Sequence, residues 1–190
     1  MKVLLEVSAR HVHLSIADFK RLFKADAELT VKRELSQTGQ FLSNDKLDII
    51  SSKSNLSGVS ILGPLRRETQ VEISVTDSLK LGIEVPIRES GDLDGTPGCK
   101  LATQHGQINI KHGLIVPKRH VHLSLDSARK NGFENGQILS VKVNSNGRSL
   151  FFFDTVARVH KDFMDAIHID TDEANAAGVK GGIFCEVEAI

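Results

Sequence analysis

The chain has 190 residues, 40% of them apolar, with 24 Lys plus Arg balanced by 24 Asp plus Glu and with neither Trp nor Tyr. That length supports one good core or two small domains, and the apolar content excludes a disordered chain. Zero net charge argues against a dedicated binder of nucleic acid or of an anionic membrane surface, whose footprint is basic, and no segment approaches the roughly 20 apolar residues that span a bilayer.

The opening MKVLLEVSARH carries one Lys and a short apolar run broken at Glu6, which does not make a signal peptide. Residues 3–7 read as a strand, and His11-Val12-His13-Leu14 alternates polar and apolar with a strand's period of two. Ser15, with Asp18 three residues on, is a capping-box-like start for a short helix over 16–23. The polar stretch 27–45, with Gly39, reads as a hairpin or a flap. Strands are expected at 46–52, 58–62 and 70–76, with Gly63-Pro64 a turn and 86–98, holding two Pro and three Gly, a loop. Further strands are expected at 107–110, 113–116, 137–143, 149–157 and 182–189. Ser124 caps a helix over 125–130 that Asn131-Gly132 stops, and 172–177 is a helical turn ended by Gly178. Many short strands and few short helices predict a mainly β fold, with a barrel or sandwich as the closed solution. Cys99 and Cys185 are far apart and unpatterned, so they read as buried small residues in a reducing cytoplasm.

Arg-His-Val-His-Leu-Ser occurs twice, at residues 10–15 and 119–124, in a chain with eight histidines. In a strand, residues i and i+2 share a face about 6.6 Å apart, so His11 with His13, and His120 with His122, each present two imidazoles side by side. Imidazole is a common ligand of zinc and other borderline metals. Two such pairs supply one closed tetrahedral site or halves of two open ones, unless the hexamer is only a duplicated structural corner. His168 lies in AIHIDTDEANAAG as a metal ligand or a satisfied core histidine, with Asp170 and Asp172 favoured as caps of the helix that follows. His105, His112 and His160 sit in polar, loop-like surroundings and read as surface residues. In LGPLRRETQVEIS, Gln70 and Glu72 share a strand face; Glu72 is a ligand, a base or a solvated strand end, and Arg66-Arg67 carries the planar fork that suits phosphate or carboxylate. There is no P-loop, no Rossmann glycine pattern and no G-x-S-x-G elbow.

The stretches SARHVHLS, LSQTGQF, LGPLRRETQVEIS, LGIEVPIRESGDLDGTPG, HGLIVPKRHVHLS and IHIDTDEANAAG stand in order over nearly the whole chain. Together they resemble the PduL-type phosphotransacylase (phosphate propanoyltransferase) family. The resemblance implies reversible conversion of a short-chain acyl-CoA, acetyl-CoA or propanoyl-CoA, and inorganic phosphate to acyl phosphate and coenzyme A at a dinuclear metal site. It implies two zinc ions per chain, a homodimer, and two β-barrel domains capped by short helices. One barrel would be built from residues 1–9 with 118–190 and the other from 10–117, with 24–44 as a flap over the active site. The family's metal ligands fall on His11, His13, Glu72, His120, His122 and His168, its phosphate-binding arginine on Arg66, and its coenzyme A contacts on Ser8, Leu62 and Asn175. The chain departs from members destined for microcompartments in lacking an N-terminal targeting extension, which favours a cytoplasmic enzyme, and in Pro117, where a small residue is common. A dinuclear zinc hydrolase of a phosphoester or amide would carry a similar ligand set, and a metal-stapled β module that binds a partner would carry it without turnover.

Overall fold

The computed structural model describes residues 1–24 and 26–190. Residue 25, inside the expected flap, lies outside the described residues. The chain divides into two compact units, Met1–Ala9 with Lys118–Ile190, and Arg10–Pro117.

The first unit is a closed barrel of β1 (Lys2–Ser8), β11 (His120–Leu123), β12 (Ile138–Val143), β13 (Leu150–Val159), β14 (Ala166–Asp170) and β15 (Ile183–Ala189), in the order β1-β14-β11-β13-β12-β15, with β15 returning to β1. β1 lies parallel to β14 and antiparallel to β15, so the first strand in the sequence closes a barrel whose other strands come last. Inward residues alternate along these strands: Val3, Leu5, Val121, Leu123, Leu139, Val141, Ile167, Ile169 and Val187 form one core. Two short helices belong to this unit, α3 (Leu125–Asn131) and α4 (Thr171–Ala177). The hydroxyl of Ser124 accepts from the Ser127 amide at the start of α3, and Gly132 ends that helix in the left-handed region. Asp170 caps α4 in a reciprocal capping box with Glu173.

The second unit is a nine-stranded sheet. Its strands are β2 (His11–His13), β3 (Val31–Glu34), β4 (Phe41–Ile50), β5 (Asn55–Gly63), β6 (Gln70–Glu72), β7 (Ile87–Arg88), β8 (Cys99–Ala102), β9 (Gln107–Ile110) and β10 (Leu114–Pro117). The path runs β7-β10-β6-β2-β5-β4-β8-β9, with β3 added on β4. The mainly β expectation holds, and of the two expected β-barrel domains the first unit is a closed barrel; among the described residues the sheet of the second is an open path between β7 and β9. β7 is two residues long and follows Pro86, which has no N–H to offer a further ladder. Val12, Leu14, Ile49, Leu56, Ile61, Val71, Leu101 and Leu114 make its core together with Phe19 and Leu22 of α1 (Ile16–Leu22).

Within the region expected as a hairpin or flap, β3 and β4 form an antiparallel pair: Val31 pairs with Ser43 and Glu34 with Phe41. The strand expected over 70–76 is corrected. It stops at Glu72, and Ser74 caps α2 (Val75–Leu81), accepting from the Asp77 amide, with Gly82 at φ 66° ending the helix. Ser74-x-x-Asp77 is the same capping signal as Ser15-x-x-Asp18, hidden here by the β-branched Val75 and Thr76.

Candidate active site

The histidines are placed by strand pairing. In the first unit, β11 and β14 run antiparallel with His120 opposite His168 and His122 opposite Ala166. In the second, β2 and β6 run antiparallel with His11 opposite Glu72 and His13 opposite Gln70. Each copy of the hexapeptide is thus a strand carrying two imidazoles, and each antiparallel partner adds a third donor at the same register. One candidate ligand atom from each of His120, His122 and His168 lies within 4.8 Å of the other two, and the same holds for His11, His13 and Glu72.

The repetition extends to the helices. β6 leads into α2 and β14 into α4, and in each helix the third residue is acidic. Arg10 Nε lies 2.9 Å from Asp77 Oδ2, and Arg119 Nη1 donates to Glu173 Oε1 at 2.7 Å. The arginine that opens each hexapeptide therefore ties the His-x-His strand to the helix that follows the third donor.

Burial favours the neutral form of His13 and of His122, the state that can ligate a metal. Burial, then the charges of His11 and Arg66, hold the His13 pKa well below 6.5, against weaker opposing effects of Glu72 and the Leu62 backbone. Burial, then His120, His168 and Arg158, push His122 down to about 2. Nδ1 of His122 is buried without a hydrogen-bond partner among the described residues. An orphaned buried nitrogen of that kind is what a bound cation satisfies. In the second unit His11 Nε2 and Glu72 Oε2 are 3.4 Å apart, close to the edge of about 3.3 Å between two ligands about 2.0–2.1 Å from a tetrahedral ion. Both donor sets therefore fit a borderline divalent metal.

The surroundings fix the donors. The Lys118 carbonyl can only accept, so Nδ1 of His120 donates to it at 2.9 Å, and in the neutral ring that tautomer puts the lone pair on Nε2. Glu6 Oε2 stands 3.6 Å from His168 Nε2, carried by β1, where Glu6 pairs with His168 across the parallel ladder. In the sequence Glu6 is only the charge that breaks the N-terminal apolar run; its neighbour is a property of a pairing between distant segments. Asp170 is the cap of α4, and burial raises its pKa. His105, His112 and His160 are exposed.

Arg66 is half-buried and Arg67 exposed. The Arg66 amide donates to Leu14 O at 2.8 Å, part of an isolated parallel bridge between Arg66 and Ser15 that ties the arginine to the chain just past β2. Its Nη1 donates to Ser90 Oγ at 3.4 Å. Of the expected coenzyme A contacts, Leu62 is on β5 in the second unit, while Ser8 ends β1 and Asn175 is exposed on α4 in the first.

A family model described as phosphate propanoyltransferase matches residues 4–180. The chain belongs to the phosphate propanoyltransferase family. It is 47% identical over 178 residues to the phosphate propanoyltransferase of Listeria monocytogenes serovar 1/2a, covering 94% of this chain and 83% of that protein. It is 43% identical over 180 residues to that of Thermotoga maritima, covering 95% and 86%, and 45% identical over 177 residues to that of Enterococcus faecalis, covering 93% and 83%. As a phosphate propanoyltransferase family member it is an acyltransferase, and both donor sets and Arg66 lie within the matched residues.

Proposed function

We propose that this chain converts a short-chain acyl-CoA, acetyl-CoA or propanoyl-CoA, and inorganic phosphate reversibly to acyl phosphate and coenzyme A, with two zinc ions per chain. The observation that carries the reading is the pair of three-donor sets built on one plan, His120, His122 and His168 in one unit and His11, His13 and Glu72 in the other. Imidazole-rich sets with one carboxylate suit zinc better than a hard cation.

When bound, the ions supply positive charge for phosphate oxygens and for the charge that develops at the thioester carbonyl. Arg66 binds the phosphate through its guanidinium fork and keeps one oxygen directed at the carbonyl carbon. That oxygen forms the new C–O bond, the C–S bond breaks, and the electron pair leaves on the coenzyme A sulfur. No side chain need become acylated. Ser8, Leu62 and Asn175 are assigned to coenzyme A, and the segment 24–44 to a flap over the substrates. The two units, 1–9 with 118–190 and 10–117, act in a cytoplasmic homodimer.

The test is coenzyme A release from acetyl-CoA and propanoyl-CoA with and without phosphate, with acyl phosphate trapped as its hydroxamate. Phosphate-dependent release with matching hydroxamate is expected. Release that ignores phosphate and yields free acid would indicate a hydrolase, and no turnover by zinc-loaded protein would indicate a metal-stapled binding module.

A further inference from the structure

Gln70 is 2% exposed and precedes Glu72 by two residues on β6, on the same face. Its side-chain amide is fully engaged. Nε2 donates to Glu72 Oε1 at 2.5 Å and to Ser90 Oγ at 2.8 Å, while Oε1 accepts from the Gly91 amide at 2.8 Å. The amide has one workable orientation, because turning it over would set its carbonyl oxygen against a carboxylate. Ser90 Oγ also accepts from Arg66 Nη1. Gln70 thus stands between the carboxylate of the second donor set and the guanidinium assigned to phosphate.

The barrel unit supplies an internal comparison. Opposite His13 stands Gln70, and opposite the equivalent His122 stands Ala166. The units also differ in their third donor, Glu72 in one and His168 in the other. A carboxylate rotates about its terminal bond and offers two oxygens to a cation, whereas an imidazole offers one direction per nitrogen. The position two residues before the third donor carries an amide only where that donor is a carboxylate.

We propose that Gln70 is a positioning residue of the acyltransfer site, an inference that rests on the function proposed above. It holds Glu72 Oε1 so that Oε2 faces His11 Nε2, and through Ser90 it keeps the Arg66 guanidinium at a fixed spacing from that carboxylate. Groups that orient metal ligands in this way change metal affinity or activity by about 10- to 100-fold when removed.

The experiment compares zinc-loaded wild-type protein with Gln70→Met, which keeps the side chain's length and loses its hydrogen bonds, and with Ser90→Ala, at a half-buried loop position. Zinc affinity is read by chelator competition, kcat and KM for phosphate by coenzyme A release, and folding by thermal unfolding. In Gln70→Met one of two zinc ions should bind about 10- to 100-fold more weakly, with KM for phosphate raised. In Ser90→Ala both ions should be retained at wild-type affinity and KM for phosphate should rise several-fold with kcat little changed. Wild-type zinc affinity and KM in Gln70→Met would overturn the proposal, as would wild-type KM in Ser90→Ala should Gln70→Met fail to fold. A wild-type protein that binds no zinc or makes no acyl phosphate would instead bring down the underlying function.

Discussion

His168 lies directly opposite His120 in the antiparallel pair β11–β14. Glu72 occupies the same place opposite His11 in β2–β6. The third donor of each set is thus fixed by ladder register, and a one-residue slip would turn it to the other face. Elemental analysis should find two zinc ions per chain. The double change His120→Ala with His122→Ala should remove one and abolish nearly all turnover, leaving the ion of the Arg10–Pro117 unit in place. Loss of both ions would mean that the sets do not bind independently.

The register equivalence makes the third donors exchangeable in kind. Glu72→His should retain a bound ion, because the barrel unit carries histidine at the equivalent position, while Glu72→Ala should lose it. The competing effect is that Gln70 would face an imidazole in place of its carboxylate. Equal zinc loss in both variants would show that the carboxylate itself is required.

Arg66 and Arg67 are adjacent but differently placed, and the Arg66 backbone is tied to Leu14 O by a bond that no side-chain change removes. Lysine at 66 keeps the charge and loses the fork. One charge-assisted contact is worth about 1.5–3 kcal/mol, so kcat/KM for phosphate should fall roughly 10- to 150-fold at about 1.4 kcal/mol per tenfold. Metal content should not change. Arg67→Lys should cost little, and a larger loss there would move the phosphate to the other arginine.

In zinc-stripped protein, His13 and His122 are neutral when folded and titrate near the ordinary value of about 6.5 when unfolded. Below that value the unfolded chain takes up protons that the folded chain refuses. Stability should therefore be complete above about pH 7 and fall as pH drops through 6, by up to about 1.4 kcal/mol per pH unit per histidine. His122→Phe, packed beside Phe163 at a centroid distance of 4.2 Å, should flatten the slope. Urea midpoints between pH 7.5 and 5.5 test this; parallel slopes for the two proteins would refute it.

Much of the site was legible because its chemistry is local. His-x-His on one strand face follows from a period of two, and Ser15, Ser124 and Gly178 announce helix boundaries by their own side chains or lack of one. Glu6, Ser90 and the ties of Arg10 and Arg119 were not legible, since each acquires its partner through a pairing between distant segments. α2 was hidden for a different reason: Ile73, Val75 and Thr76 carry strand propensity, and the caps Ser74 and Gly82 override it. The openness of the second sheet depends on which edge strands find partners, and a two-residue strand such as β7 leaves almost no imprint on local sequence.

The place of β1 in the barrel bears on the order in which a growing chain acquires structure. Residues 10–117 form a contiguous stretch with its own core and can consolidate as soon as they leave the ribosome. β1 is made before that stretch, yet its partners β14 and β15 are made after it. Until then it presents Val3 and Leu5, both buried in the finished barrel, and two unsatisfied strand edges to its surroundings. Closure of the six-stranded barrel therefore waits on pairing between segments far apart in the sequence, the kind of long-range contact that slows folding. Glu6 reaches His168 only at that step, so a strand made before residues 10–117 completes the surroundings of a histidine made after them.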